Sequence, residues 1–177
     1  MKKAIFFTAL LSLVASSAMA VDTMGRFGLG FVSTDVPIGG RYWFSDKIGV
    51  DFGFGVSSTD LGDSSSTDFV FGAGLPINVM NMGDRVNMHL SPELKYQAFD
   101  VPEGSGLQSS EIDVLVVLEF EVFVTNDFSV SASHGLGFQI ASYEDFGTQS
   151  VDSTTDWGSV GSNITDFGFH YYFGGAK

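Results

Sequence analysis

Three copies of Asp-Phe-Gly, one Ser-His pair and two further histidines are the residues of this chain whose types could do chemistry. In protein kinases the aspartate of such a tripeptide holds magnesium, but that chemistry also needs a Gly-rich loop, a strand lysine and an H-R-D catalytic loop. The sequence contains none of these. Around Asp51-Phe52-Gly53, Asp145-Phe146-Gly147 and Asp166-Phe167-Gly168 the neighbouring residues instead alternate in type. That pattern puts Phe and Gly on opposite faces of a strand. Ser133-His134 has the residue types of a nucleophile and its base, yet strand neighbours point apart, so these two cannot form a dyad with each other. His89 and His170 lack the close His/carboxylate spacing of a zinc motif and read as hydrogen-bonding residues. No metal, no cofactor and no enzymatic activity are therefore expected. Asp60, Asp63, Asp68, Glu144, Asp145, Asp152 and Asp156 lie among Ser, Thr and Gly. They lack the D-x-D-x-D-G order of a calcium loop and read as solvated acids.

The bulk of the chain says where such residues would sit. MKKAIFFTALLSLVASSAMA, residues 1–20, has Lys2 and Lys3, a short apolar run and Ala18-Met19-Ala20. This is the layout of a secretory signal peptide with an A-x-A cleavage site, and the run is too short for a spanning helix. Cleavage would leave residues 21–177 as one domain. It would also remove two of the eight basic residues and none of the 21 acidic ones, which argues against a nucleic-acid partner. Cysteine is absent, so an exported domain must hold together without disulfides or thiolate metal sites. Hydrophobic residues make up 44% of the chain and charged ones only 16%, below the ~25% usual for soluble domains.

Period-2 alternation marks eight strand segments: 25–34, 38–44, 48–57, 68–78, 86–99, 111–124, 128–143 and 164–173. Their connections alternate in length. Tight turns fall at Ser45 to Lys47, Asn81 to Arg85 and Thr125 to Asp127, whereas STDLGDSSSTD, DVPEGSGLQSS and EDFGTQSVDSTTDWGSVGSN are long and polar. The remaining connection, DVP after the first strand, falls at the long-loop end. With an even number of antiparallel strands the tight turns share one end, which is the asymmetry of an outer-membrane barrel.

The occupants of the two faces decide which is inside. One face is bulky, with Phe27, Leu29, Phe52, Phe54, Phe71, Val114, Val116, Leu136, Phe138, Phe167, Phe169 and their like. The other holds Gly28, Gly30, Gly53, Gly72, Gly137, Gly168 and Ser129. Glycine on a solvated face packs nothing, but in an eight-stranded barrel the interior is only wide enough for side chains to fill. Gly and Ser then make room inside, and the bulky residues turn outward, where only lipid suits them. Charged residues within strands fall on the Gly-rich face: Arg26, Arg41, Asp51, His89, Glu93, Lys95, Asp113, Glu119, Glu121 and His170. A three-residue loop at Ser45 to Lys47 sets Arg41 across from Asp51, with His89, Glu119 and Glu121 at a similar level. Charges in a narrow lumen must be paired or hydrated, so a buried polar network is expected there. Aromatic residues collect at strand ends, with Tyr42, Trp43, Phe44, Phe128, Tyr171, Tyr172 and Phe173 at the tight-turn end, as an interfacial belt predicts.

GGRYWFSDKIGVDFGFG and the last strand DFGFHYYF resemble the small bacterial outer-membrane β-barrel proteins of the opacity-type and OmpA/OmpX-like group, and the signal peptide and turn pattern extend the likeness over nearly the whole mature chain. The resemblance implies an all-β, eight-stranded antiparallel up-and-down transmembrane barrel. It also implies residence in the bacterial outer membrane as a monomer. Its partners would be membrane lipids, lipopolysaccharide, the barrel-assembly machinery and a ligand at the external loops. Members usually end on an aromatic residue, whereas Phe173 is followed here by Gly-Gly-Ala-Lys. No peptidoglycan-binding domain is expected after the barrel. The expected role is envelope integrity or adhesion through long acidic external loops. The alternatives are a narrow cation-preferring pore, a lipid-modifying barrel enzyme using His134, and a soluble periplasmic lipid-binding barrel with its apolar face inward.

Overall fold

The computed structural model describes residues 21–33, 36–60, 65–99, 108–145, 150–158 and 166–174. Residues 1–20, read as the signal peptide, lie outside the described residues. The described strands are β1 (Arg26–Phe31), β2 (Ile38–Trp43), β3 (Gly49–Asp60), β4 (Ser65–Gly74), β5 (Ile77–Asn81), β6 (Val86–Ala98), β7 (Gln108–Phe123), β8 (Phe128–Asp145), β9 (Ser150–Gly158) and β10 (Asp166–Gly174). Every pairing is antiparallel, and β10 pairs with both β1 and β8, so the sheet closes on itself.

These strands build eight staves. β4 and β5 form one stave, because Gly74 opposite Glu93 and Ile77 opposite Leu90 keep one register along β6 across Leu75 and Pro76. Pro76 has no N–H to give a ladder, which is why the strand assignment breaks there. β9 and β10 both lie along β8 and form the last stave, with Gly158 opposite Gly137 and Asp166 opposite Ser133. Expected and observed strands coincide over most of the barrel, with two corrections. STDLGDSSSTD is mostly hairpin, since β3 runs to Asp60 and β4 begins at Ser65. EDFGTQSVDSTTDWGSVGSN contains β9, in which Val151 and Trp157 are too few and too far apart for apolar alternation to read.

The three tight turns share one geometry. Phe44 donates to the Ile48 carbonyl, Met82 to Val86 and Val124 to Phe128, leaving three residues at each tip. In two of them a hydroxyl shapes the tip: Ser45 Oγ accepts from the N–H groups of Lys47 and Ile48, and Thr125 Oγ1 from those of Asp127 and Phe128. In the third, Gly83 supplies a φ of 71°.

Side chains alternate along every stave. Leu29, Phe52, Phe54, Phe71, Leu94, Val114, Val116, Leu136, Phe138 and Phe169 are exposed on the outer surface, whereas Asp51, Asp113, Leu115, Val117, Glu119 and Glu121 are buried. The Asp-Phe-Gly copies follow this rule, with Phe52 and Phe167 outside and Gly53 and Gly168 buried; Phe146 and Gly147 lie outside the described residues. Gly53 is glycine because the chain approaches it closely: a Cβ there would meet Val36 Cγ1 at 2.5 Å. Val36, 2% exposed, turns into the lumen from the connection after β1.

Parity also corrects the aromatic belt. Tyr42, Phe44, Tyr171 and Phe173 face outward as edge-on or tilted pairs with ring centroids 5.1 and 4.9 Å apart. Trp43 and Tyr172 do not join them. They share the parity of Arg41 and His170, and with Phe123 form a buried apolar cluster inside the turn end of the barrel.

This orientation has a direct test. Spin labels at positions 52 and 54 in bilayers will be accessible to oxygen and shielded from water-soluble relaxation agents; the reverse ranking would refute it. Phe54→Arg will lower folding stability into bilayers by about 2–4 kcal/mol, read from denaturant titration.

Candidate functional site

Inside the barrel one guanidinium organises the middle layer. Arg41 on β2 and Asp51 on β3 are register partners, and they meet side on: Nε donates to Oδ1 at 2.7 Å and Nη2 to Oδ2 at 2.6 Å. The same side chain reaches across to β7, where Nη1 donates to Glu119 Oε1 at 2.6 Å and Nη2 to Glu119 Oε2 at 3.0 Å. Both contacts are bidentate, the arrangement for which a planar guanidinium fits carboxylates best. Arg41 is 1% exposed, so these bonds are made away from bulk water.

Glu121, one pleat nearer the turns, is 0% exposed and serves a second set of donors. Its Oε1 accepts from Ser129 Oγ at 2.6 Å and from Tyr172 Oη at 2.7 Å. Its Oε2 lies 3.1 Å from His89 Nε2 and 3.6 Å from Arg41 Nη1. The His89 ring rests 5.0 Å from that of Trp43. His170 is 1% exposed beside Tyr172, with ring centroids 5.9 Å apart, and neither of its ring nitrogens has a hydrogen-bond partner among the described residues. Ligating atoms of His89, Glu119 and Glu121 lie within 4.8 Å of one another.

The other charged residues named from the sequence occupy different layers. Arg26 sits at the turn end, donating from Nη1 to the Asn126 carbonyl at 2.5 Å and pairing with Asp127 through Nη2. Glu93 and Lys95 line a cavity of about 60 Å³ on the long-loop side, together with Asp113, Asp51 and Glu119. A cavity of that size has room for a few waters. The structure thus brings together Arg41, Asp51, His89, Glu119 and Glu121, and leaves Arg26 apart. Ser133 lines the cavity while His134 is exposed outside, so the pair diverges.

Sequence reasoning missed Trp43, Phe123 and Tyr172 as lumen residues and Tyr172 and Ser129 as donors to Glu121. The signal was present for Trp43 and Tyr172: each lies two positions from an inward charged residue. Phe123 has the parity of Glu119 and Glu121.

An eight-stave antiparallel barrel with an apolar outer face, a polar lumen and tight turns at one end defines the class: the small outer-membrane β-barrel. Among solved structures, the chain resembles the outer membrane protein OprG from Pseudomonas aeruginosa, with a TM-score of 0.50 and 14% identity over 89% of this chain and 99% of that one. The attachment invasion locus protein Ail of Yersinia pestis matches with a TM-score of 0.43 and 13% identity, over 85% of this chain and 99% of that one. No protein-family model matches the sequence, and no curated protein matches it.

Removing the central cation would leave carboxylates from two walls buried and unpaired. Arg41→Ala will therefore destabilise the barrel by about 3–5 kcal/mol, measured by denaturant unfolding in micelles followed by tryptophan fluorescence. Adding Asp51→Asn and Glu119→Gln will restore part of that loss. An Arg41→Ala protein as stable as the parent would show that the layer is not held by this side chain.

Proposed function

We propose that the chain is an integral outer-membrane protein, exported by residues 1–20, whose role is structural or surface interaction: envelope integrity or adhesion by the loop end. The observation that carries this reading is the filling of the lumen. Trp43, Phe123 and Tyr172 occupy the turn end, and the doubly bidentate Arg41 crosses the middle. A barrel filled in this way offers the cell its outer surface and its loops. Interaction through acids is supported on the described residues by Asp68, which is half-buried, and Asp156, which is exposed.

Lipid, lipopolysaccharide and an external ligand are the partners that suit such a surface, and the barrel-assembly machinery the one that would insert it. Bacteria displaying the chain will differ from an empty-vector strain in attachment to surfaces or in leakage of large antibiotics. Replacement of residues 100–107 by a short Gly-Ser turn will reduce the attachment effect while heat-modifiable gel mobility of the barrel is retained. Unchanged attachment and unchanged leakage would remove the proposal.

The acidic surplus of the lumen favours a second reading, a narrow cation-preferring pore. Planar-bilayer recordings separate the two. The parent protein will show no ohmic conductance, and Trp43→Ala with Phe123→Ala, which empties the turn end, will introduce a cation-selective one. A conducting parent would establish the pore instead.

A further inference from the structure

The middle layer of the lumen does not balance its charge with the cations that line it. Asp51, Glu119 and Glu121 are three carboxylates around one guanidinium, that of Arg41. The carboxylates outnumber the guanidinium three to one in a space where Glu121, His89 and His170 are at most 1% exposed. Carboxylates at that depth are costly without cations beside them, so the layer favours a further positive partner.

The donors for such a partner are already assembled. Ligating atoms of His89, Glu119 and Glu121 lie within 4.8 Å of one another, so a small inward shift of the side chains lets them share one ion. Glu121 is held as metal-ligating carboxylates are held: Ser129 and Tyr172 occupy Oε1 and leave Oε2 turned toward His89. The His89 ring is steadied by Trp43.

A second observation is independent of this cluster. His170 is buried on β10, directly opposite Ser129 and two residues before Tyr172, the two residues whose hydroxyls bond Glu121. Neither of its ring nitrogens has a hydrogen-bond partner among the described residues, and His89 Nδ1 likewise has none. Buried imidazole nitrogens are ordinarily satisfied, and one left without a partner in this layer is available to a bound ion or to a water that the ion carries.

We propose that the lumen holds one divalent transition-type cation, zinc by its preference for imidazole and carboxylate donors, ligated by His89, Glu119 and Glu121. The ion and Arg41 together neutralise the three carboxylates. Glu119 and Asp51 also line the cavity on the loop side, whereas Trp43, Phe123 and Tyr172 close the turn side, so the ion enters from the loop end. This site does not depend on whether the external role is adhesion or envelope integrity.

The test uses the full-length, tag-free barrel folded in micelles and stripped with chelator, its fold checked by heat-modifiable mobility. Titration with Co²⁺ will give a visible d–d band saturating at one ion per chain and displaced by Zn²⁺. His89→Ala will weaken binding by about 100-fold and His170→Ala by about tenfold, with the barrel still folded. X-ray absorption of the zinc-loaded parent will show a mixed nitrogen and oxygen shell with imidazole scattering, which decides the matter even if a variant does not fold. A folded parent that takes up no Co²⁺, a Kd unmoved by His89→Ala, or an oxygen-only shell would each overturn the site.

Discussion

One arginine spans the inside of this barrel, and the interior is arranged around it. Arg41 leaves β2, binds the carboxylate of its neighbour on β3 with two hydrogen bonds, and binds a carboxylate on β7 with two more. A guanidinium has five N–H groups in a fixed plane, so holding both carboxylates fixes the distance between distant walls. In water such a pair would contribute little; away from water its loss would strand the partners. Glycine makes room for this arrangement: Gly28 lies opposite Arg41, and a Cβ there would meet the Tyr172 ring at 2.9 Å.

The lumen is consequently layered. Apolar rings close the turn end, ions and their donors fill the middle, and a small polar cavity lies toward the loops. The outer wall reverses the logic of a soluble protein. Phe, Leu and Val are exposed along its length, which suits acyl chains and would aggregate in water. A soluble barrel with its apolar face inward does not fit these positions.

Strand parity sorts almost every residue from the sequence, because each side chain along a stave takes one of two directions. It assigned the lipid-facing Phe52, Phe54 and Phe138 and the inward Arg41, Asp51, Glu119 and Glu121. A three-residue turn then set Arg41 opposite Asp51. Parity failed where composition was allowed to overrule it. Trp43 and Tyr172 were grouped with their aromatic neighbours as a membrane-interface belt, although each sits in step with an inward charge. It fails again at β9, where Ser, Thr and Asp outnumber the apolar residues and, among the described residues, Trp157 alone packs a ring against β8, on Phe138.

The sequence by itself determined the class of fold, the direction of each face and the one local pair, since all three follow from alternation and turn length. Only the closed barrel decided which side chains meet across the lumen. Arg41 with Glu119 and Glu121 with Tyr172 join residues on different staves, 78 and 51 positions apart. Spacing along the chain carries no record of such meetings, because they depend on stagger and curvature, which the whole sheet sets when it closes.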